Sequence, residues 1–176
     1  MKKMRTTRFL PKDALYDEMD SPVGTLTIIA SAEGLHAIFW STDRENLAYK
    51  KMISNLIKSS HNKIIRQTKQ QLAEYFQGKR KNFDLPLMPH GTDFQMQAWQ
   101  QLLKIPYGKT ISYAEQAEKI GNKNKARAVG IANGCNPISI IIPCHRVIGS
   151  KGDLVGFGGG LGKKAYLLEL EQAANL

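Results

Sequence analysis

Cysteine is scarce: the 176-residue chain has two, Cys135 and Cys144. Two cysteines cannot build a disulfide framework or supply a Cys-rich zinc finger. In a reducing compartment each is either a small buried hydrophobe or a reactive thiol. Long apolar runs are missing too. The Ile140-Ile141-Ile142 run falls far short of the roughly 20 residues that a membrane helix needs. Met1 to Arg8 is charged like the start of a signal peptide, but Pro11-Lys12-Asp13 cuts off Phe9-Leu10 before an apolar segment develops. A soluble, cytoplasmic protein is expected. Acidic residues are the minority charge, 15 Asp and Glu against 25 Lys and Arg, for a net charge of +10. Such a surface favours a polyanionic partner, because it steers phosphates towards it. Charge alone does not single out nucleic acid, since many soluble proteins are basic. The 42% hydrophobic content is that of a folded globular chain.

Two domains are expected, 1–88 and 89–176, in an α+β protein. The first reads as antiparallel strands with helices. Strands are predicted at Leu15 to Met19, Thr25 to Ala30 and Leu35 to Trp40, separated by the turns Ser21-Pro22-Val23-Gly24 and Ser31-Ala32-Glu33-Gly34. Helices are predicted over 44–58 and 63–77, the second stopped by Gly78, with a closing strand at Phe83-Asp84-Leu85. After Pro86, Pro89 and Gly91 the pattern becomes helical. Thr92-Asp93-Phe94-Gln95 and Ser112-Tyr113-Ala114-Glu115 have capping-box form. A helix over about 124–133, following one closed by Gly121, implies a helix-turn-helix. Its sequence, Lys125-Ala126-Arg127-Ala128-Val129-Gly130, offers one Arg among small residues. A major-groove reader presents several long polar side chains. Ala126, Ala128 and Gly130 permit either close approach to a minor groove or tight helix packing.

A nucleophilic Cys needs a base or positive charge nearby. His145 and Arg146 follow Cys144 directly, but neighbours on a strand point to opposite faces. Pro143 ends the Ile-rich strand expected before it, and a turn there would bring thiol and imidazole to one side. In a C-terminal helix from Leu161 to about Ala174, Glu171 lies on the stripe of Leu167 and Leu168. A carboxylate buried there needs a partner, and His145 would serve; a frayed helix end would leave it solvated instead. Asn136 either begins a turn or braces the backbone leading to Cys144. Cys135 reads as structural. The loop Val155-Gly156-Phe157-Gly158-Gly159-Gly160 lacks P-loop spacing but allows close approach to a planar ligand, with Phe157 over its face.

Taken together, these residues resemble the O6-alkylguanine-DNA alkyltransferases, also called methylated-DNA–protein-cysteine methyltransferases. The resemblance runs from about Thr92 to Glu171, through Phe94-Gln95-Met96-Gln97-Ala98-Trp99, Ile105-Pro106-Tyr107-Gly108-Lys109-Thr110, Ser112-Tyr113, Ala126-Arg127-Ala128-Val129-Gly130, Asn136-Pro137, Pro143-Cys144-His145-Arg146-Val147 and Leu167-Leu168-Glu169-Leu170-Glu171. It implies a ribonuclease H-like N-terminal α/β domain and a mainly helical, winged helix-turn-helix-like domain after it. The activity it implies is single-turnover DNA repair, in which Cys144 keeps the alkyl group of O6-alkylguanine, with O4-alkylthymine as a further substrate. In the implied division of labour His145 takes the thiol proton, Glu171 polarises His145 and Asn136 braces the turn. Tyr113 donates to the departing base. Val147, Phe157 and Gly158 bind it once it is flipped out of the duplex. Arg127 fills the gap, while Ala126, Ala128 and Gly130 line the minor groove. A monomer acting on double-stranded DNA without metal or organic cofactor is expected. Many relatives carry Tyr at the position of Phe157 and Ser at that of Gly158, so lesion range is the property these departures touch. The alternative, a non-catalytic protein that binds alkylated DNA, would lack the acceptor Cys; Cys144 argues against it.

Overall fold

The computed structural model describes residues 10–173; the charged start at 1–8 and the expected helix end at Ala174 lie outside them. The chain is α+β and divides into two compact units, 1–90 and 91–176. In the first, β1 (Leu15–Met19), β2 (Leu26–Ala30) and β3 (Leu35–Trp40) form where alternation and turns predict them. Both pairings are antiparallel, and the sheet order is β3-β2-β1-β4. Every residue of β2 and β3 is buried, so both faces of the sheet are covered. On one face Ile29, Ala37 and Phe39 pack with Tyr49 and Met52 of α1 (Leu47–Ile53). Alternate residues point the other way. There Asp17, opposite Ile28 in register, pairs with Lys69 of α2 (Lys63–Phe76).

The continuous helix expected over 44–58 does not form. The Ser54 hydroxyl and the Asn55 side-chain amide both bond back to the Lys51 carbonyl, at 2.9 and 2.8 Å, and close α1 early. The released chain extends into β4 (Ile57–Lys58), which pairs parallel with β1. Nor do Phe83-Asp84-Leu85 form a strand. The Gln71 side chain of α2 takes the place of a strand neighbour, donating to the Asp84 carbonyl at 2.8 Å and accepting from the Asp84 N–H at 2.8 Å. The chain reaches the sheet edge only at Leu87, bridged to Leu35.

In the second unit, α3 (Asp93–Leu102), α4 (Tyr113–Lys119) and α5 (Ala126–Gly134) pack on one another. Both capping boxes are present, at Thr92/Gln95 and Ser112/Glu115. Gly121, at φ +98°, makes the turn after α4. The helix expected from Asn124 begins at Ala126, because Asn122 caps a 3-10 turn over Lys123–Lys125 first. Polar side chains set the seating of α5. Trp99 Nε1 donates to the Ala132 carbonyl at 2.9 Å. The buried amides of Gln116 and Asn133 bond each other in both directions, at 3.1 and 2.7 Å, and Gln116 also donates to the Ala98 carbonyl. Replacing Gln116 with Leu leaves the Asn133 amide buried without that partner. A stability loss of about 1–3 kcal/mol is expected, read as a lower urea midpoint with unchanged slope.

Candidate active site

Cys144 is buried at the head of a 3-10 turn, Cys144–Arg146. The isoleucines before it do not form the expected strand. Ile138, Ile140 and Ile142 are fully buried, and Ile140 sits at φ +77°, a conformation that β-branched residues rarely adopt. Asn136 holds this segment. Its side chain donates to the Ile142 carbonyl at 2.7 Å and accepts from the Ile138 N–H at 3.0 Å. The Ile142 carbonyl also accepts from the Cys144 N–H at 2.9 Å, so Asn136 and Cys144 meet on one carbonyl. Beyond the turn, β6 (Val147–Ile148) pairs parallel with β5 (Ile111–Ser112). That strand leads straight into α4, whose first residue is Tyr113.

His145 is fully buried, and its Nε2 lies 2.8 Å from Glu171 Oε1. Glu171 comes from α6 (Leu161–Ala173) and is also fully buried. Its Oε1 further accepts from Arg146 Nη2 at 3.0 Å. Its Oε2 accepts from Arg146 Nε and the Gly108 N–H, each at 2.9 Å. Burial works against the Glu171 charge, but bonds and charge from His145 and Arg146 prevail, leaving its pKa at about 2, below the ordinary 4.5. An ionised carboxylate only accepts, so Nε2 carries the ring proton. Burial holds the His145 pKa below the ordinary 6.5 against the pull of Glu171. The imidazole is therefore neutral at neutral pH, and Nδ1 is left as an acceptor with no protein hydrogen-bond partner among the described residues.

A second cluster forms around Tyr113 and Lys164. The Tyr113 hydroxyl donates to the Val155 carbonyl at 2.8 Å. Burial first, and the neighbouring charge of Cys144 second, push its pKa up to about 12, so it keeps its proton. Lys164 is fully buried; its Nζ donates to the carbonyls of Val147 at 2.6 Å and Val155 at 2.8 Å. Burial lowers its pKa, while the charge of Cys144 acts in the opposite sense. Phe157 and Gly158 are half-buried in the loop before α6. Arg127 and Ala128 are exposed on α5, Ala126 and Gly130 half-exposed. The structure thus gathers Cys144, His145, Glu171 and Asn136 around one turn, with Tyr113 and Val147 tied to it through the β5–β6 pair and Lys164.

Comparison with known proteins places this arrangement. Residues 93–173 match the domain family described as 6-O-methylguanine DNA methyltransferase, DNA binding domain. Residues 14–89 match the ribonuclease-like domain of the same proteins. The chain belongs to the 6-O-methylguanine DNA methyltransferase family. The methylated-DNA–protein-cysteine methyltransferase of Methanosarcina barkeri is 43% identical over 157 residues, covering 89% of this chain and 96% of its own. The solved Mycobacterium tuberculosis O6-methylguanine methyltransferase aligns with a TM-score of 0.82 at 42% identity, over 92% of this chain and 94% of its own. The M. tuberculosis OGT in complex with DNA aligns at 0.79 and 43% identity, over 90% and 93%.

The match to the methyltransferase DNA-binding domain spans both clusters and α5. The sequence did not assign Arg146 or Gly108 to Glu171, nor Lys164 to the Tyr113 cluster. Lys164 had a signal, since it precedes Leu167 by three residues and Glu171 by seven, on the same helical stripe. Arg146 had none beyond adjacency. Its other partners, the Ile105 carbonyl at 2.6 Å and the Tyr107 ring, are about forty residues away. Among the described residues, no group of three His, Cys, Asp or Glu could hold a metal ion, and no helix is long and apolar enough to cross a membrane.

Replacing Glu171 with Gln removes the charge that Arg146 and His145 share, and should cost about 3–5 kcal/mol at pH 7. The folded pKa of Glu171 is depressed, so its contribution is complete above about 4.5 and is lost as pH falls towards about 2. Denaturation of both proteins across that window should show the gap closing as pH falls. A constant gap would mean that packing, not charge, is what Glu171 supplies.

Proposed function

We propose that Cys144 is the acceptor thiol in direct repair of alkylated DNA, each molecule taking one alkyl group from O6-alkylguanine, with O4-alkylthymine as a second substrate. What carries this reading is the buried Cys144 on a tight turn next to a neutral imidazole whose tautomer Glu171 dictates. His145 Nδ1, through a water molecule, receives the thiol proton. The thiolate attacks the alkyl carbon, a C–S bond forms and the carbon–O6 bond breaks, its electron pair passing to the purine. Tyr113 donates a proton as that charge develops, so guanine departs neutral. The thiol's proton replaces the one Tyr113 gave, and the thioether remains on the protein.

Tyr113 donates to Val155 in the free protein, so the entering base takes the place of that loop carbonyl. Backbone groups at Val147 and Gly158 meet the guanine edge, and Phe157 covers its face. Asn136 keeps the Ile142 carbonyl, and hence Cys144, in place. Arg127 fills the space left by the flipped nucleotide, and Ala126, Ala128 and Gly130 let α5 approach the minor groove. A monomer working on DNA in the cytoplasm fits this chemistry, which calls on no metal or organic cofactor.

Intact mass after incubation with an O6-methylguanine duplex should rise by one methyl per molecule, mapped to Cys144, and the Cys144→Ala variant should not change. Turnover without modification of the protein, or activity in the Ala variant, would sink the proposal. Arg127→Ala should slow transfer from duplex DNA much more than transfer from free O6-benzylguanine, in single-turnover assays. Tyr113→Phe should slow both, by about 100-fold or more, since its donor acts on the base itself.

A further inference from the structure

Ile131 is 64% exposed at the middle of the outward face of α5. At about 100° per residue, Arg127, Ile131 and Gly134 share the centre of that face, and Val129, Ala132 and Asn133 are buried on the opposite side. The flanking positions are Ala128 and Gly130. One large apolar side chain therefore stands one turn beyond Arg127, on a surface otherwise small enough for close approach. The helix enters this face from a basic end: Lys123 and Lys125 are exposed just before it, with Lys125 Nζ held over the Phe94 ring at 5.6 Å. The face lies within the segment matched to the DNA-binding domain, and phosphate-binding charge around an apolar centre fits a nucleic-acid groove.

We propose that Ile131 is a specificity-determining contact, packing into the minor groove beside the lesion and favouring A·T over G·C at the base pair it meets. This rests on the reading that α5 enters the minor groove at an alkylated base. The A·T and T·A pairs present acceptors at the groove floor, whereas G·C adds the protruding guanine N2 amino group. An isoleucine offers that amino group no acceptor, strips its water and meets it sterically. At A·T the floor is clear, and burying the exposed side chain adds affinity. Arg127 does not discriminate in this way, because its task is to fill the vacated stack.

The test uses O6-methylguanine duplexes in which each of the two pairs on either side of the lesion is in turn A·T, G·C or inosine·C, which lacks the N2 amino group. The wild-type protein should transfer methyl under subsaturating conditions about fivefold faster with A·T or inosine·C than with G·C at one flanking position. Ile131→Ala should lose that preference, and Ile131→Leu should keep it. Each preference is a ratio within one variant, so differences in the folded fraction between variants cancel. Equal wild-type rates on all flanks, a preference that survives in Ile131→Ala, or one that inosine does not relieve would overturn the contact while leaving alkyl transfer intact. Absence of methyl transfer from every duplex would overturn both the contact and the reading beneath it.

Discussion

The buried carboxylate of Glu171 holds together three stretches of chain that nothing local would join. It projects from α6, receives the Gly108 N–H from the turn after α3, and takes Arg146 and His145 from the turn that carries Cys144. A carboxylate in a dry site is tolerated only when its charge and lone pairs are met. Here both oxygens are met, and the guanidinium balances the charge. Arg146 is itself fixed by the Ile105 carbonyl and the Tyr107 ring, so its charge is as rigidly placed as the one it neutralises. His145 is left to supply only a ring N–H to Glu171, and that decides which nitrogen can take a proton. A stronger pull from an uncompensated Glu171 would favour a protonated imidazole, which is a poor base for a thiol. Arg146 thus helps to keep the imidazole neutral as well as balancing the buried carboxylate.

The other cluster has the opposite chemistry. Tyr113 is a hydroxyl whose burial keeps it protonated, beside a lysine whose amine is committed to the Val147 and Val155 carbonyls. The charge of Cys144 acts on the titration of both, so this cluster is electrostatically coupled to the sulfur. Separating two titratable groups by environment is how a single site accepts a proton at one atom and delivers one at another. Lys164 also ties the backbone after Cys144 to the glycine-rich loop. The segment proposed to meet the base and the segment bearing the thiol are therefore held by one side chain.

Much of this was legible in the sequence where the cause is local. The capping boxes at Thr92/Gln95 and Ser112/Glu115 and the glycine stops at Gly78 and Gly121 are short-range physics, and they appear as read. Glu171 was visible as a carboxylate on an apolar stripe. The isoleucines at 138–142 were misread because a β-branched apolar run signals burial, not extension. They are buried along a turn, with Ile140 forced into the left-handed region. Phe83 to Leu85 were misread for the complementary reason. A side chain thirteen residues earlier, Gln71, satisfies the backbone that a strand neighbour would otherwise satisfy. The helix expected through residue 58 ended early because Ser54 and Asn55 compete for the Lys51 carbonyl, an outcome that propensity alone does not rank. Lys164 stood on the stripe of Leu167 and Glu171, but its partners, like those of Arg146, were beyond pattern, since a buried cation is defined by acceptors on distant loops.

The path from α5 to the thiol is the last consequence of this architecture. Trp99, Gln116 and Asn133 seat α5 on α3 and α4 through buried hydrogen bonds rather than through apolar contact alone, and such bonds admit little sliding. One residue after the end of α5, at Gly134, is Cys135, and the next is Asn136. Asn136 bonds the Ile142 carbonyl, which also receives the Cys144 N–H. Between the helix and Cys144 the chain is thus tied by hydrogen bonds at Asn136. Asn136 is half-buried, the isoleucines that it holds are fully buried, and Ile140, at φ +77°, is enclosed among them. Placing α5 against a surface then places Cys144 as well. In the proposed reaction a base leaves its stack and presents one carbon to one sulfur; a link of this kind between α5 and the thiol would supply the orientation, leaving His145 to take one proton and Tyr113 to give one.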